Sequence, residues 1–227
     1  GRLLALKPDV TLSIAKNYQG GAQRVYYTEN VYRPDRAKRS FKEIEQMGLE
    51  CVGGIDSNAV SDVVVLAAQS MRLVSQESIL EISHCGFIRG LLNAVTDDKR
   101  LRLALSKLIA EKNVHGVAEL AKQAEIDEDK INALLKAINI CGDYESVITE
   151  AKSICISDEM QEALDELEML NSVLQKSAGL CDIRFDMSLH GEEDYYNGIV
   201  FCGYAKGLPF RVLSGGRYDA LLKRLGK

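Results

Sequence analysis

Apolar residues recur along this chain at two different periods, and the change of period divides it into regions. Between Gly86 and Gly179 the spacing is helical. In "DDKRLRLALSKLIAEKN" Leu101, Ala104, Leu105 and Leu108 fall on one face of a 3.6-residue repeat. "VAELAKQAEI", "DEDKINALLKAI", "DYESVITEAKSI" and "DEMQEALDELEMLNSVLQKSAG" continue the pattern. Asp127, Asp143 and Ser157 or Asp158 stand where N-caps belong, and Gly179 where a C-cap belongs. This predicts a block of about five or six short helices. The flanks read differently. "QRVYYTENVYR", "ESILEISH", "CDIRFDMS", "YYNGIVFCGYA" and "PFRVLSGG" are rich in β-branched and aromatic residues, as strands are. "NAVSDVVVLAAQSMRLV" reads as a helix between two of them.

These elements make an α+β fold: a mostly antiparallel sheet with flanking helices, built from residues 1–85 and 180–227, with an all-helical subdomain at 86–179 inserted between its halves. The three prolines, Pro8, Pro34 and Pro209, all lie in the flanks. In "EIEQMGLECVGG" the period is two, so Met47, Leu49 and Cys51 point one way and Gln46, Gly48 and Glu50 the other. The apolar face is suited to packing on helices. The polar face presents an amide and a carboxylate with a glycine between them that leaves room. It is either the floor of a pocket for a ligand carrying an amine or imidazole, or simply a water-facing side of a half-exposed sheet.

Composition narrows the class. The 227 residues are 46% hydrophobic, enough for a packed core in one or two domains. A net charge of −5 argues against a chain that binds nucleic acid along its whole length. No apolar run approaches the roughly 18 residues of a membrane span, and no signal peptide is visible. Six scattered cysteines without a CxxC pair, and three dispersed histidines, predict reduced structural thiols in a cytoplasmic protein and no metal site. The chain opens on Gly1 rather than methionine, as a fragment or a processed chain would.

Candidate chemistry sits in the flanks. Tyr195 and Tyr196 face opposite sides if their segment is a strand, so one can pack and the other offer its hydroxyl, or both can pack. Asp9 and Thr11 follow Pro8, where a turn or cap is the default. "RPDRAKRSFK", Arg33 to Lys42, is either a solvated hairpin loop or a phosphate-binding one. The helical block holds no catalytic constellation.

Taken together these pieces resemble the histidyl-tRNA synthetase family, within the class II synthetase fold. "LLALKPDVT" is similar to its early substrate-loop motif. "YYTENVYRPDRAKRSFKEIEQMGLECVGG" is similar to class II motif 2, with Tyr32-Arg33 and the run from Gln46 to Glu50. "DYYNGIVF" and "SGGRYDALL" resemble two further motifs, the first of them histidine-specific. The resemblance implies that Asp9, Thr11, Gln46, Glu50 and Tyr196 hold histidine with Tyr195 beside them, and that Arg33 contacts a phosphate. It also implies a sheet domain incomplete at both ends, since motif 1 does not precede Gly1 and motif 3 does not appear before Lys227.

One departure bears on activity. In the synthetases the histidine-specific motif opens on an arginine, and counting back from Asp194 puts Gly191 in its place, followed by Glu192 and Glu193. Adenylation builds negative charge at the α-phosphate, and losing a fixed cation there typically costs on the order of 3 kcal/mol. Two carboxylates worsen the local field. A retained histidine pocket without activation chemistry resembles the synthetase-like regulatory subunits of ATP phosphoribosyltransferase. That resemblance implies a non-catalytic chain without a cofactor, partnering the short-form catalytic subunit as a homodimer within a larger hetero-oligomer. Histidine would be its allosteric effector in the first step of histidine biosynthesis. The alternatives are a fragment of a synthetase that activates histidine with ATP, and a helical interaction module on an inert scaffold.

Overall fold

The computed structural model describes residues 6–35, 39–189 and 195–226. The chain divides into two compact units, residues 1–59 with 221–227, and residues 60–220. In the smaller unit a short helix α1 (Thr11–Asn17) precedes a hairpin of two thirteen-residue strands, β1 (Gln23–Asp35) and β2 (Ser40–Val52). The strands pair antiparallel in one register from Gln23 opposite Val52 to Asp35 opposite Ser40.

Helix α2 (Ser57–Val74) leads into the larger unit. There β3 (Ser78–His84) runs straight into α3 (Cys85–Val95), followed by α4 (Lys99–Ala110), α5 (Val114–Gln123) and α6 (Glu128–Asn139). A two-residue strand β4 (Cys141–Gly142), α7 (Tyr144–Ser153) and α8 (Asp158–Leu174) complete the helical stretch. Strands β5 (Asp182–Asp186), β6 (Ile199–Ala205) and β7 (Leu213–Gly216) close the sheet, and α9 (Asp219–Arg224) ends the described chain. The sheet order is β4-β5-β3-β6-β7. Among the described residues one pair, β3–β5, is parallel and three are antiparallel, so the sheet is mixed and mostly antiparallel.

The capping chemistry follows the sequence closely. Asp127, Asp143 and Ser157 each accept a backbone N–H at the start of α6, α7 and α8. Ser157 rather than Asp158 is the cap, because its hydroxyl reaches the Met160 amide while Asp158 begins the helix. Gly179 does not cap α8: Gln175 does, and Gly179 takes its left-handed φ of 73° in the loop beyond.

The 86–179 stretch packs as one body with the sheet. Leu80 and Ile82 of β3, Phe87 and Leu91 of α3, Leu105 of α4, Leu134 of α6 and Leu164 of α8 are all buried within one continuous apolar cluster. Helix α8 comes close to α3 because Gly90 has no side chain. A Cβ there would lie 2.9 Å from Ser157 Oγ and from Met160 Cγ, and 3.0 Å from the Met160 backbone nitrogen.

Phe87 of α3 is fully buried in that cluster. Phe87→Ala should destabilise the larger unit by about 3–5 kcal/mol. Leu103→Ala, on an exposed position of α4, should change stability by less than about 0.5 kcal/mol. Denaturant unfolding followed by circular dichroism checks both.

Candidate functional site

The hairpin register decides what shares a face. Residues 25, 27, 29, 31 and 33 of β1 oppose 50, 48, 46, 44 and 42 of β2, so Tyr27, Gln46, Gly48, Glu50 and Arg33 share one side. Gln46 Nε2 donates to the Tyr27 hydroxyl at 2.9 Å. Thr11, at the start of α1, donates through Oγ1 to Glu50 Oε1 at 2.6 Å. Asp9 Oδ1 accepts the Leu12 amide at 3.0 Å, which holds the start of the same helix in place. Asp9, Thr11, Gln46 and Glu50, chosen from the sequence, thus gather in the smaller unit. Asp9 makes a local bond at the turn into α1, as its place after Pro8 suggests, while Val10 holds the N-cap position.

Two expectations are corrected. The face carrying Met47, Leu49 and Cys51 does not pack on helices: Met47 is 78% exposed, as is Tyr26 across the ribbon at 86%. The polar face is the buried one, with Glu50 only 7% exposed. The reason is that the other strand supplies its apolar side chains: Val31 of β1 lies on this face beside Val52 of β2, and both are buried. The room beside Gly48 is also already filled. The Tyr27 ring occupies the position a Cβ on Gly48 would take.

Tyr27 is the residue that sequence reasoning missed. Its signal was its parity with Gly48 across the hairpin, which is legible only once the register is known. Burial pushes its phenol pKa up, and the nearby Glu50 carboxylate adds to that, with Asp9 contributing less. Hydrogen bonds with Gln46 and Thr11 oppose the shift. The cluster therefore sits in a negative field, and Gln46, which donates through its nitrogen, turns its amide oxygen the other way. Such a set suits an ammonium or a protonated ring nitrogen. Arg33 lies exposed further along the same face, opposite Lys42.

In the larger unit Tyr195 and Tyr196 do not lie in a strand, because β6 begins only at Ile199. They need not face opposite ways, and their rings meet edge to face at 4.7 Å. Tyr195 also stacks obliquely on Tyr218 at 5.9 Å, and the Tyr196 ring lies against Gly216. Gly191, Glu192 and Glu193 lie outside the described residues. All six cysteines are free thiols. Among the described residues no three His, Cys, Asp or Glu side chains gather as metal ligands, and no helix is long and apolar enough to cross a membrane.

The family model for histidyl-tRNA synthetase matches residues 1–227. The chain belongs to the histidyl-tRNA synthetase family. Within that family it is similar to proteins named ATP phosphoribosyltransferase regulatory subunit from Clostridium novyi (strain NT), 30% identical over all of this chain and 56% of that protein, and from Geobacillus sp. (strain WCH70), 29% identical over all of this chain and 60% of that one. It thus spans little more than half the length of these curated relatives. A crystal structure described as an ATP phosphoribosyltransferase regulatory subunit/histidyl-tRNA synthetase from Bacillus halodurans C superposes with a TM-score of 0.87 at 29% identity, covering 97% of this chain and 59% of that one. A histidyl-tRNA synthetase from Nostoc sp. PCC 7120 shares the fold at a TM-score of 0.76 and 17% identity, over 93% of this chain and 52% of that one. The histidyl-tRNA synthetase fold read from the four sequence motifs is therefore the fold present.

Two tests address the ribbon cluster. Gly48→Ala sets a methyl into the Tyr27 ring and should cost about 1–3 kcal/mol, read from the unfolding midpoint. Tyr27 should titrate above the ordinary tyrosine pKa of about 10 in a spectrophotometric pH series. Since the folded phenol keeps its proton where the unfolded one has begun to lose it, its contribution to stability is intact below that range and falls as pH rises through it.

Proposed function

We propose that this chain belongs to a regulatory subunit of ATP phosphoribosyltransferase, acting in the first step of histidine biosynthesis and binding histidine as the feedback effector. The carrying observation is the cluster in which Gln46, Glu50 and Tyr27 share one ribbon face, Thr11 at the start of α1 bonds Glu50, and Asp9 bonds the first turn of that helix. Its buried carboxylate and its negative field suit the ammonium and imidazole of histidine. The names of the similar proteins from Clostridium novyi and Geobacillus support the same role. Tyr195 and Tyr196 join the proposed ligand set through the family resemblance, and Arg33 is proposed to meet a phosphate.

The subunit is non-catalytic in this reading, because Gly191 supplies no cation where activation of histidine needs one. It works in the cytoplasm, pairs with a second copy, and joins the short-form catalytic chain in a larger symmetric complex. A structural neighbour at a TM-score of 0.78 and 23% identity belongs to an ATP phosphoribosyltransferase complex from Thermotoga maritima and shares the fold. In the proposed domain organisation, 86–179 is a helical insertion in a synthetase-like domain formed by 1–85 and 180–227.

The second reading, a histidine-activating synthetase, draws on the double description of the Bacillus halodurans structure. ATP–pyrophosphate exchange separates the two: robust histidine-dependent exchange would sink the regulatory reading. Within that reading, Glu50→Ala should weaken histidine binding by about 2 kcal/mol, roughly thirtyfold, since a charge-assisted bond is lost from a desolvated position. Activation of the catalytic chain should persist. Calorimetry with histidine, and phosphoribosyltransferase assays on the mixed complex with increasing histidine, measure both. Unchanged sensitivity to histidine in Glu50→Ala would place the effector elsewhere.

A further inference from the structure

A chain of polar contacts in the larger unit joins helix α8 to the segment that follows the tyrosine pair. His84 closes β3 and caps α3. Its Nδ1 accepts the Gly86 amide at 3.1 Å, so Nε2 carries the proton and donates to Glu166 Oε2 of α8 at 3.1 Å. One residue beyond His84, the Cys85 amide donates to the Gly198 carbonyl at 2.9 Å. On its other side the 197–199 segment is stitched to Arg217: the Asn197 amide donates to the Arg217 carbonyl and the Arg217 amide to the Ile199 carbonyl, both at 2.9 Å. The Arg217 stem lies against Gly198, where a Cβ would come within 2.9 Å of Arg217 Cδ. Asp219 Oδ2 ties these parts together, accepting from Arg217 Nε at 2.9 Å and from Asn197 Nδ2 at 3.3 Å.

Glu166 bonds the His84 arm directly and lies within the field of the Arg217 charge. Its carboxyl is held below the usual range, first by the His84 hydrogen bond, with the Arg217 charge adding to that effect and partial burial opposing it. The segment so held begins directly after Tyr195 and Tyr196, and the residue after Arg217, Tyr218, stacks on Tyr195. A second ionic contact between the same helices makes a contrast. Glu159, two helical turns earlier on α8, pairs with Arg89 of α3 and accepts from Asn93 at 3.1 Å. Both of those partners lie on α3, and neither bond involves the 195–199 segment or Arg217.

We propose that Glu166 is a positioning residue: by fixing His84, whose neighbour Cys85 holds the Gly198 carbonyl, it sets the geometry of the Tyr195–Tyr196 pair and links α8 to the segment that carries that pair. The consequence for histidine binding rests on the regulatory reading given above. The effect on the tyrosine pair does not.

The chain has no tryptophan, so its near-ultraviolet circular dichroism reports mainly on tyrosine, and on packed tyrosine rings above all. Glu166→Gln keeps the shape and removes the charge. It should leave the far-ultraviolet spectrum unchanged, diminish the near-ultraviolet tyrosine bands, and weaken histidine binding about tenfold by calorimetry, equivalent to about 1.4 kcal/mol. Asp219→Asn, which cuts the same network from its other end, should do the same and serves if Glu166→Gln folds poorly. Glu159→Gln should match the unmodified protein in both measurements. Unmodified tyrosine bands in Glu166→Gln and Asp219→Asn would overturn the proposal. Equal losses in Glu159→Gln would overturn it too, since any α3–α8 contact would then serve. If the unmodified protein binds no histidine, the regulatory reading fails, and the tyrosine bands alone decide whether Glu166 positions the pair.

Discussion

Burial of β3 is the constraint on which the larger unit depends. The strand pairs parallel with β5 on one edge and antiparallel with β6 on the other, and its side chains Leu80 and Ile82 are wholly excluded from water. Each such side chain contributes about 1.5–3 kcal/mol on burial, and the backbone hydrogen bonds on both edges leave it no freedom to slip register. Because α3 follows without a loop, the direction of β3 also sets the direction of α3. The close approach of α8 at Gly90 then fixes the last long helix against both. The other helices fill in around this centre, so the helical stretch and the sheet share one core.

The smaller unit answers to a different constraint, the cost of burying a carboxylate. Glu50 is nearly as buried as a core residue, and a buried charge is tolerated only with partners. Thr11 supplies one hydrogen bond from the first turn of α1, and the polar face of the ribbon supplies the surroundings. Maintaining such an arrangement costs stability that an apolar side chain would not, which is the usual mark of a site kept for a ligand. Tyr27 completes it from the opposite strand. Its ring fills the gap left by Gly48, and its hydroxyl fixes which end of the Gln46 amide faces away.

The two polar systems differ in kind. The ribbon cluster gathers carboxylates in a negative field, which suits a cationic group. In the network through His84, Glu166, Arg217 and Asp219, the donors His84 Nε2, Arg217 Nε and Asn197 Nδ2 each meet a carboxylate of the same unit. One is suited to binding and the other to holding a backbone segment still. In the proposed regulatory role both are needed, because an effector changes an equilibrium only as far as it meets one conformation better than another.

The sequence by itself determined the class of fold and most of its elements. Helical periodicity placed α4 to α8 and side-chain caps placed the starts of α6, α7 and α8, because both signals are local and operate within a few residues. Four motifs pointed to the histidyl-tRNA synthetase family, and with them to Asp9, Thr11, Gln46 and Glu50. Alternation in β2 separated its two faces correctly but not which would be buried, since that depends on what the partner strand contributes, and Val31 and Tyr27 come from β1. Tyr195 and Tyr196 read as strand residues because aromatic residues favour strands, yet hydrogen bonds to Arg217, twenty residues away along the chain in "RYD", start the strand only at Ile199. The contact between His84 and Glu166 spans 82 positions. No local pattern marks it, because pairings at that separation exist only after the sheet and the helices have packed.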